Sequence, residues 1–136
     1  MRYLAIDYGT KHTGLAICDP AETLASPLTV IEGQKDLLKK IADVVKAENV
    51  EAIVLGLPLN MDDSTGSQAK LVFQFAERLE KVLNIPLHFQ DERLSSFSAA
   101  EKLASADFTM KRKKKRLDAI AAAEILEAFL EQKRTQ

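Results

Sequence analysis

The chain has 136 residues, of which 46% are hydrophobic and 29% charged, the composition of an ordinary soluble globular protein. This length predicts one domain over residues 1–136, with a single hydrophobic core. With 19 basic and 20 acidic residues, the net charge of −1 excludes a uniformly basic nucleic-acid binder. No apolar run approaches the roughly 20 residues that cross a bilayer, and no secretory signal is recognisable, so we expect a cytoplasmic protein with no membrane partner.

Hydrophobic periodicity and turn residues predict a strand-rich first third, followed by alternating helices and strands. The predicted strands cover residues 3–6, 15–18, 28–31, 52–55 and 86–89. The predicted helices cover residues 35–48, 67–82, 95–103 and 113–132. Ser67 is a candidate N-cap for the second helix. This order predicts an α/β protein with a five-stranded mixed sheet, antiparallel on one side and parallel on the other, and helices on both faces.

The first candidate site follows the first predicted strand, where residues 6–11 read Ile-Asp-Tyr-Gly-Thr-Lys. Ligands of α/β proteins collect beyond the carboxyl ends of strands, which is where Asp7 lies. Gly9 would let the backbone approach a phosphate, and Thr10 and Lys11 could contact its oxygens. The alternative is a hairpin in which Asp7 only accepts hydrogen bonds from nearby turn amides.

The second candidate is Glu92, which follows the fifth predicted strand between Asp91 and Arg93. Side chains alternate along a strand, so Asp91 and Arg93 would point away from the side that Glu92 faces. We therefore expect Glu92 to be the acid that faces a metal ion. The alternative is a local ion pair between Arg93 and one of the two acids.

The third candidate is Asp118 in the last helix, at the head of an apolar stripe that continues through Ala122, Ile125 and Phe129. A carboxylate on the face that packs towards the sheet is costly unless it is paired or bound to a metal ion. The alternative is an aspartate in the first helical turn, where the helix dipole favours a negative charge.

A run of six basic residues lies just before Asp118, separated from it by Leu117. The run consists of Lys111, Arg112, Lys113, Lys114, Lys115 and Arg116. The rest of the chain holds 13 basic against 20 acidic residues, so the positive charge is local. Charge runs are usually solvated surface, but the position of this one next to Asp118 predicts contact with a polyanionic substrate.

Three carboxylates that meet without a counter-charge repel one another and raise each other's pKa. A divalent cation relieves that repulsion, and hard oxygen ligands suit Mg²⁺ or Mn²⁺. The sequence therefore predicts a metal-dependent phosphodiesterase, in which Asp7, Glu92 and Asp118 are both catalytic residues and metal ligands.

Four segments together resemble the YqgF family, also called RuvX, whose members are described as pre-16S rRNA nucleases or as Holliday junction resolvase-like proteins. The segments are residues 6–11 with Gly14, residues 54–61, residues 91–95 and residues 117–122. The resemblance covers essentially the whole chain. It implies a ribonuclease H-like fold and places the family's three acidic positions at Asp7, Glu92 and Asp118. Two departures are the unbroken basic run, where many members have Lys-Gly, and Asp62-Asp63 where Asp-Gly is common.

The resemblance implies an endonuclease that processes the 5′ end of pre-16S rRNA during ribosome biogenesis. Lys11 and the basic run would neutralise backbone phosphates, which predicts strongly salt-dependent binding. Asn60 and Arg93 would position the nucleic-acid backbone. We expect structured RNA as the partner, in ribosomal precursor particles, and a monomer or weak dimer.

Three alternatives remain at this point. A Holliday junction resolvase would use the same chemistry on branched DNA, and its two symmetric cuts would require a dimer. A non-catalytic nucleic-acid-binding module would keep the acids without turnover. A nucleotide-binding phosphotransferase also opens with Asp-x-Gly-Thr, but such proteins need two domains of this kind around a cleft.

Overall fold

Five strands and three helices make up the regular structure in a computed structural model of the chain, which describes residues 1–58, 66–92 and 110–135, with the backbone alone for 110–116. The strands are β1 (Tyr3–Asp7), β2 (His12–Cys18), β3 (Ala25–Glu32), β4 (Ala52–Leu57) and β5 (Leu87–Asp91). The helices are α1 (Leu37–Ala47), α2 (Ser67–Val82) and α3 (Met110–Arg134). Among these described helices, none is both long and apolar enough to cross a membrane.

The strands form one mixed sheet in the order β3-β2-β1-β4-β5. The pairs β1–β2 and β2–β3 are antiparallel, whereas β1–β4 and β4–β5 are parallel, which confirms the predicted arrangement. Because β1, β4 and β5 run in the same direction, their carboxyl ends lie at one edge of the sheet. We call this edge the catalytic end, after the catalytic role predicted for Asp7. Asp7 lies there opposite Gly14 of β2, and Leu57 of β4 lies opposite Asp91 of β5.

Alternation along the strands divides the core into two layers. Leu4 and Ile6 of β1 pack with α1 and α2 on one face, where Phe75 of α2 is among the largest fully buried side chains. Tyr3 and Ala5 pack with α3 on the other face. Helices therefore cover both faces, as predicted. Each fully buried Leu, Ile or Phe contributes roughly 1.5–3 kcal/mol to stability, so the two layers hold all five strands in place.

The element boundaries differ from the predictions mainly at the strand ends. β2 and β3 extend beyond the predicted 15–18 and 28–31, because ladder pairing continues past the apolar residues that marked them. The prediction that Ser67 is the N-cap of α2 is wrong. Gly66 takes that place without a side-chain hydrogen bond, and Ser67 is the first helical residue. The predicted helix at 95–103 lies outside the described residues.

Candidate active site

The centre of the candidate site is a pair of carboxyl groups at the catalytic end. Asp7 is the last residue of β1, and alternation places it on the face that Tyr3 and Ala5 present to α3. Glu92 directly follows the last residue of β5. The carboxyl groups of Asp7 and Glu92 are joined by a hydrogen bond. Two of the three predicted acids, 85 residues apart in sequence, are thus in direct contact.

The hydrogen bond requires a proton, because two ionised carboxylates have only acceptors to offer. Burial is the largest cause that raises the pKa of Asp7, and together with the hydrogen bond and the charge of Glu92 it raises that pKa from 3.8 to about 9. The pair therefore retains a proton at neutral pH. That proton takes the place of a cation, since it removes one of the two negative charges.

Asp118, the third predicted acid, reaches this region because α3 packs directly on β2. Gly14 is paired with Asp7 across the two strands. A Cβ atom placed on Gly14 would collide with the backbone carbonyl of Asp118 and would lie 3.0 Å from the nitrogen of Ala119. Asp118 itself is partly buried. A glycine at position 14 is therefore what allows the backbone of Asp118 to lie next to the strand that carries Asp7.

Gly56 provides the corresponding space on the other side of β1. A Cβ atom on this residue of β4 would lie 2.7 Å from Oε1 of Glu92 and 2.7 Å from Cδ1 of Ile125 in α3. The carboxyl group of Glu92 thus occupies space that any larger residue at position 56 would fill. The sequence predictions missed this role of Gly14 and Gly56. The available signal was period-two alternation, which places both glycines on the same face as Asp7.

A third glycine shapes the loop between β1 and β2. A Cβ atom on Gly9 would collide with the backbone carbonyl oxygen of His12, so the tight turn excludes larger residues. The hydroxyl of Thr13 donates to the carbonyl of Gly9 at 3.4 Å. Lys11 is exposed in this loop, four residues after Asp7. The predicted phosphate-contacting side chain is therefore accessible beside the catalytic end.

The other predicted nucleic-acid contacts are only partly within the described structure. Asn60 and Arg93 lie outside the described residues. Positions 111–116 form part of the first turns of α3, so the basic run is helical and leads directly to Asp118. The predicted start of this helix at 113 was three residues too late, and the predicted end at 132 two residues too early.

The donor chemistry of the site fits a hard divalent cation. Asp7, Glu92 and Asp118 offer carboxylate oxygens, which suit Mg²⁺ or Mn²⁺. The shared proton of Asp7 and Glu92 marks a position where positive charge is favoured, and a cation would displace it. Within the part of the chain that the structure describes, no three His, Cys, Asp or Glu side chains are already grouped around a metal position. The acids therefore form a pair with Asp118 beside it, not a preformed three-residue cage.

The fold is similar to that of a solved RuvC structure. The structure titled "T. thermophilus RuvC in complex with Holliday junction substrate" matches with a TM-score of 0.65 and 14% sequence identity, covering 98% of this chain and 96% of that chain. At this identity the likeness concerns the fold alone. It confirms the predicted ribonuclease H-like fold, including the mixed five-stranded sheet.

Sequence comparison identifies the family. The chain is 38% identical over 135 residues to a "Putative pre-16S rRNA nuclease" of Roseiflexus sp. (strain RS-1), covering 98% of this chain and 96% of the relative. It is 41% identical over 133 residues to a protein of the same name from Syntrophomonas wolfei subsp. wolfei, covering 96% and 94%. The family model described as "RuvX: Holliday junction resolvase" matches residues 1–132. The chain therefore belongs to the RuvX family.

Proposed function

We propose that this chain is a metal-dependent endonuclease that hydrolyses phosphodiester bonds at the 5′ end of pre-16S rRNA. The observation that supports this most is the hydrogen-bonded pair of Asp7 and Glu92 at the catalytic end, with the backbone of Asp118 packed against β2. The name shared by relatives at 38–41% identity supports the choice of RNA substrate. We further propose that the RNA is presented in ribosomal precursor particles.

In this proposal, Asp7, Glu92 and Asp118 hold one or more Mg²⁺ or Mn²⁺ ions. When bound, the metal lowers the pKa of a water molecule and stabilises negative charge on the scissile phosphate. Asp7 and Glu92 must release their shared proton before both can act as ligands, so metal affinity rises with pH. Gly14 leaves room for the backbone of Asp118, and Gly56 leaves room for the carboxyl group of Glu92.

The substrate backbone would be held by positive charge around the acids. Lys11 is exposed in the loop that follows Asp7 and would neutralise one backbone phosphate. The basic run at 111–116, which precedes Asp118 on the same helix, would neutralise others. Asn60 and Arg93 are proposed to position the same backbone. Each phosphate contact releases condensed counterions, so we expect affinity to fall steeply as salt rises.

A second candidate function is resolution of four-way DNA junctions, which the description of the matching family model favours. The chemistry at Asp7, Glu92 and Asp118 would be the same. The two functions differ in the geometry of the substrate and in the need for two symmetric cuts. A dimer would be required for the second function but not for the first.

The test is cleavage of two labelled substrates, an RNA that carries the 5′ extension of 16S rRNA and a four-way DNA junction. Each is incubated with Mg²⁺ or Mn²⁺ and with wild type, Asp118→Asn or the control Glu127→Gln, which changes an exposed acid on α3. We expect metal-dependent RNA cleavage by wild type and the control. Asp118→Asn should reduce the cleavage rate by more than roughly 100-fold, which is the loss caused by removing a residue that only hydrogen-bonds to a metal ligand.

Two results would contradict the proposal. Cleavage of the junction alone would assign the resolvase function instead. Binding without cleavage of either substrate, unchanged in Asp118→Asn, would leave a non-catalytic nucleic-acid-binding module.

A further inference from the structure

One polar side chain outside the catalytic end holds the loop that carries Lys11. Gln34 lies in the connection between β3 and α1, and its Nε2 donates to the carbonyl oxygens of Gly9 and Thr10, each at 3.0 Å. The neighbouring Gly33 donates its backbone N–H to the carbonyl of Lys11 at 2.8 Å. Three consecutive carbonyl groups of the loop are therefore tied to residues 33 and 34.

The orientation of the Gln34 amide is fixed from its other end by Tyr8. The hydroxyl of Tyr8 donates to Oε1 of Gln34 at 3.0 Å. The ring of Tyr8 stacks on Phe75 of α2, with ring centroids 4.2 Å apart and an interplanar angle of 13°. Phe75 is fully buried, so this contact connects the loop to the core. Because carbonyl oxygens can only accept, the Gln34 nitrogen must face Gly9 and Thr10.

We propose that Gln34 is a positioning residue, which holds loop 8–11 so that Lys11 faces the substrate phosphate beside Asp7. This inference rests on the proposed nuclease function and adds a specific determinant of substrate binding. Carbonyl oxygens repel phosphate oxygens. Tying the carbonyls of Gly9 and Thr10 to Gln34 keeps them out of the path of an anionic substrate. An ordered loop also spares the entropy that would be lost on ordering Lys11 during binding.

A purely structural role explains this arrangement less well than the positioning role does. Gln34 is exposed, and hydrogen bonds at exposed positions contribute little to folding. We expect Gln34→Ala to lower the thermal unfolding midpoint by less than about 5 °C. The main effect should appear in substrate binding, because the loop next to Asp7 is what the side chain contacts.

The first test is a steady-state comparison on the substrate that wild type cleaves. Gln34→Ala should raise KM about 10-fold and change kcat less than about twofold, because ground-state and transition-state binding weaken equally. Gln34→Glu keeps an acceptor for Tyr8 but loses both donors, so it should behave like Gln34→Ala. Tyr8→Phe keeps the stacked ring and loses only the hydroxyl, so its KM should rise less. An unchanged KM in Gln34→Ala would overturn the proposal.

The second test is a double-mutant cycle between Gln34→Ala and Lys11→Ala. If Gln34 acts by placing Lys11, the double variant should bind no more weakly than Lys11→Ala alone. The slope of log affinity against log salt should fall by about 0.7–0.9 in each single variant, the value of one lost phosphate contact. Additive effects with an unchanged slope in Gln34→Ala would mean that the side chain does not act through Lys11.

A measurement without nucleic acid separates this inference from the proposed function. The ¹⁵N order parameters of Thr10 and Lys11 should be near the rigid value of about 0.85 in wild type and fall below about 0.6 in Gln34→Ala. Unchanged order parameters would overturn the positioning role even if wild type cleaves RNA. The other outcome is that the loop loosens in Gln34→Ala but wild type neither binds nor cleaves nucleic acid. That outcome would overturn the proposed function and, with it, the phosphate-binding role of the loop.

Discussion

Like charges meet at one end of the sheet, and opposite charges meet at the other end. At the catalytic end, Asp7 and Glu92 bring two acids together, and burial and the neighbouring acid raise the pKa of Asp7 to about 9. At the other end, Glu22 meets positive groups. A hydrogen bond from Lys133 lowers the pKa of Glu22 below its ordinary value of 4.5, and the same contact raises the pKa of Lys133.

At this second end, the last turn of α3 contacts the turn between β2 and β3. We call this group of contacts the charged anchor. It consists of Glu22, Lys133, Arg134 and the amino group of Met1. Nζ of Lys133 lies 2.7 Å from Oε1 of Glu22 and donates to the hydroxyl of Tyr3 at 2.9 Å. The amino group of Met1 lies 3.2 Å from Oε2 of Glu22, and Arg134 donates to the carbonyl of Glu22 at 2.6 Å. Opposite charges thus fix the end of α3 to the turn between β2 and β3.

The comparison shows how one helix serves two purposes. α3 carries Asp118 in its first half, where its backbone packs against β2, and Lys133 near its end, where the lysine pairs with Glu22. Functional sites commonly violate local rules of stability that the rest of the fold satisfies. Because acids meet at the catalytic end and opposite charges pair at the charged anchor, we expect changes at the catalytic end to alter activity strongly. Changes at the charged anchor should alter only stability.

The largest loss of stability is expected for Gly14→Ala. The new Cβ would collide with the backbone of Asp118, so α3 must shift. We expect a loss of about 1–3 kcal/mol in the free energy of unfolding, as for other overpacked sites. Misplacement of catalytic groups by about 1 Å costs roughly 100-fold in rate, so cleavage should fall by that order. Denaturant unfolding and the RNA cleavage assay measure the two quantities.

The control for Gly14→Ala is Ile41→Val, which removes a methyl group on the opposite face of the sheet. Ile41 is fully buried in α1, and this change should cost about 0.5–1.5 kcal/mol. Cleavage by Ile41→Val should remain close to that of wild type. Equal cleavage by Gly14→Ala and Ile41→Val would show that the close approach of Asp118 to β2 is not required.

Asp7→Asn should stabilise the metal-free protein while it abolishes cleavage. The pKa of Asp7 is higher in the folded protein than its ordinary value of 3.8, so its contribution to stability is fully present below about pH 4. That contribution is lost as pH rises towards about 9. At pH 8 the free energy of unfolding should therefore be about 1–3 kcal/mol higher in Asp7→Asn than in wild type. This is the cost of an uncompensated buried polar group, which wild type bears and the variant avoids.

This prediction is checked by urea unfolding in EDTA at pH 5, 7 and 9. Wild type should lose stability relative to Asp7→Asn across that series. The control Asp43→Asn changes an exposed acid of α1 and should leave the dependence on pH as it is in wild type. A variant that is less stable than wild type at pH 8 would contradict the account of the carboxyl pair.

The smallest effect is expected at the charged anchor, for Glu22→Gln. Surface ion pairs contribute about 0.2–1 kcal/mol, so the free energy of unfolding should fall by that amount at neutral pH. The lowered pKa of Glu22 gives a contribution that is present above pH 4.5 and is lost as pH falls below it. Cleavage should be unchanged. A loss of cleavage comparable with that of Gly14→Ala would remove the distinction between the two ends.

The sequence predicts much of this arrangement, because periodicity reports burial. The spacing of Asp118, Ala122 and Ile125 placed one acid on the buried face of α3, and Ala122 and Ile125 do pack on the sheet. Asp7 was located by the buried strand before it. The direct contact between Asp7 and Glu92 was predicted only as proximity, since which side chains touch depends on the register of β1, β4 and β5.

Other features could not be read from local patterns. The need for glycine at position 14 arises from the backbone of Asp118, 104 residues later. Gln34 gave no signal, because a single glutamine in a loop is typical of any exposed connection. The cap of α2 was misplaced by one residue, since Gly66 and Ser67 are both frequent at helix starts and only the backbone conformation separates them.

The central claim is that Asp7, Glu92 and Asp118 form one metal-dependent centre. Isothermal titration of the metal-free protein with Mn²⁺ tests it most directly, using wild type, Asp7→Asn, Asp118→Asn and the control Glu127→Gln. We expect wild type and Glu127→Gln to bind Mn²⁺ alike, with proton release on binding. Asp7→Asn and Asp118→Asn should each bind at least about 10-fold more weakly. Equal Mn²⁺ affinity in all four proteins would contradict the claim.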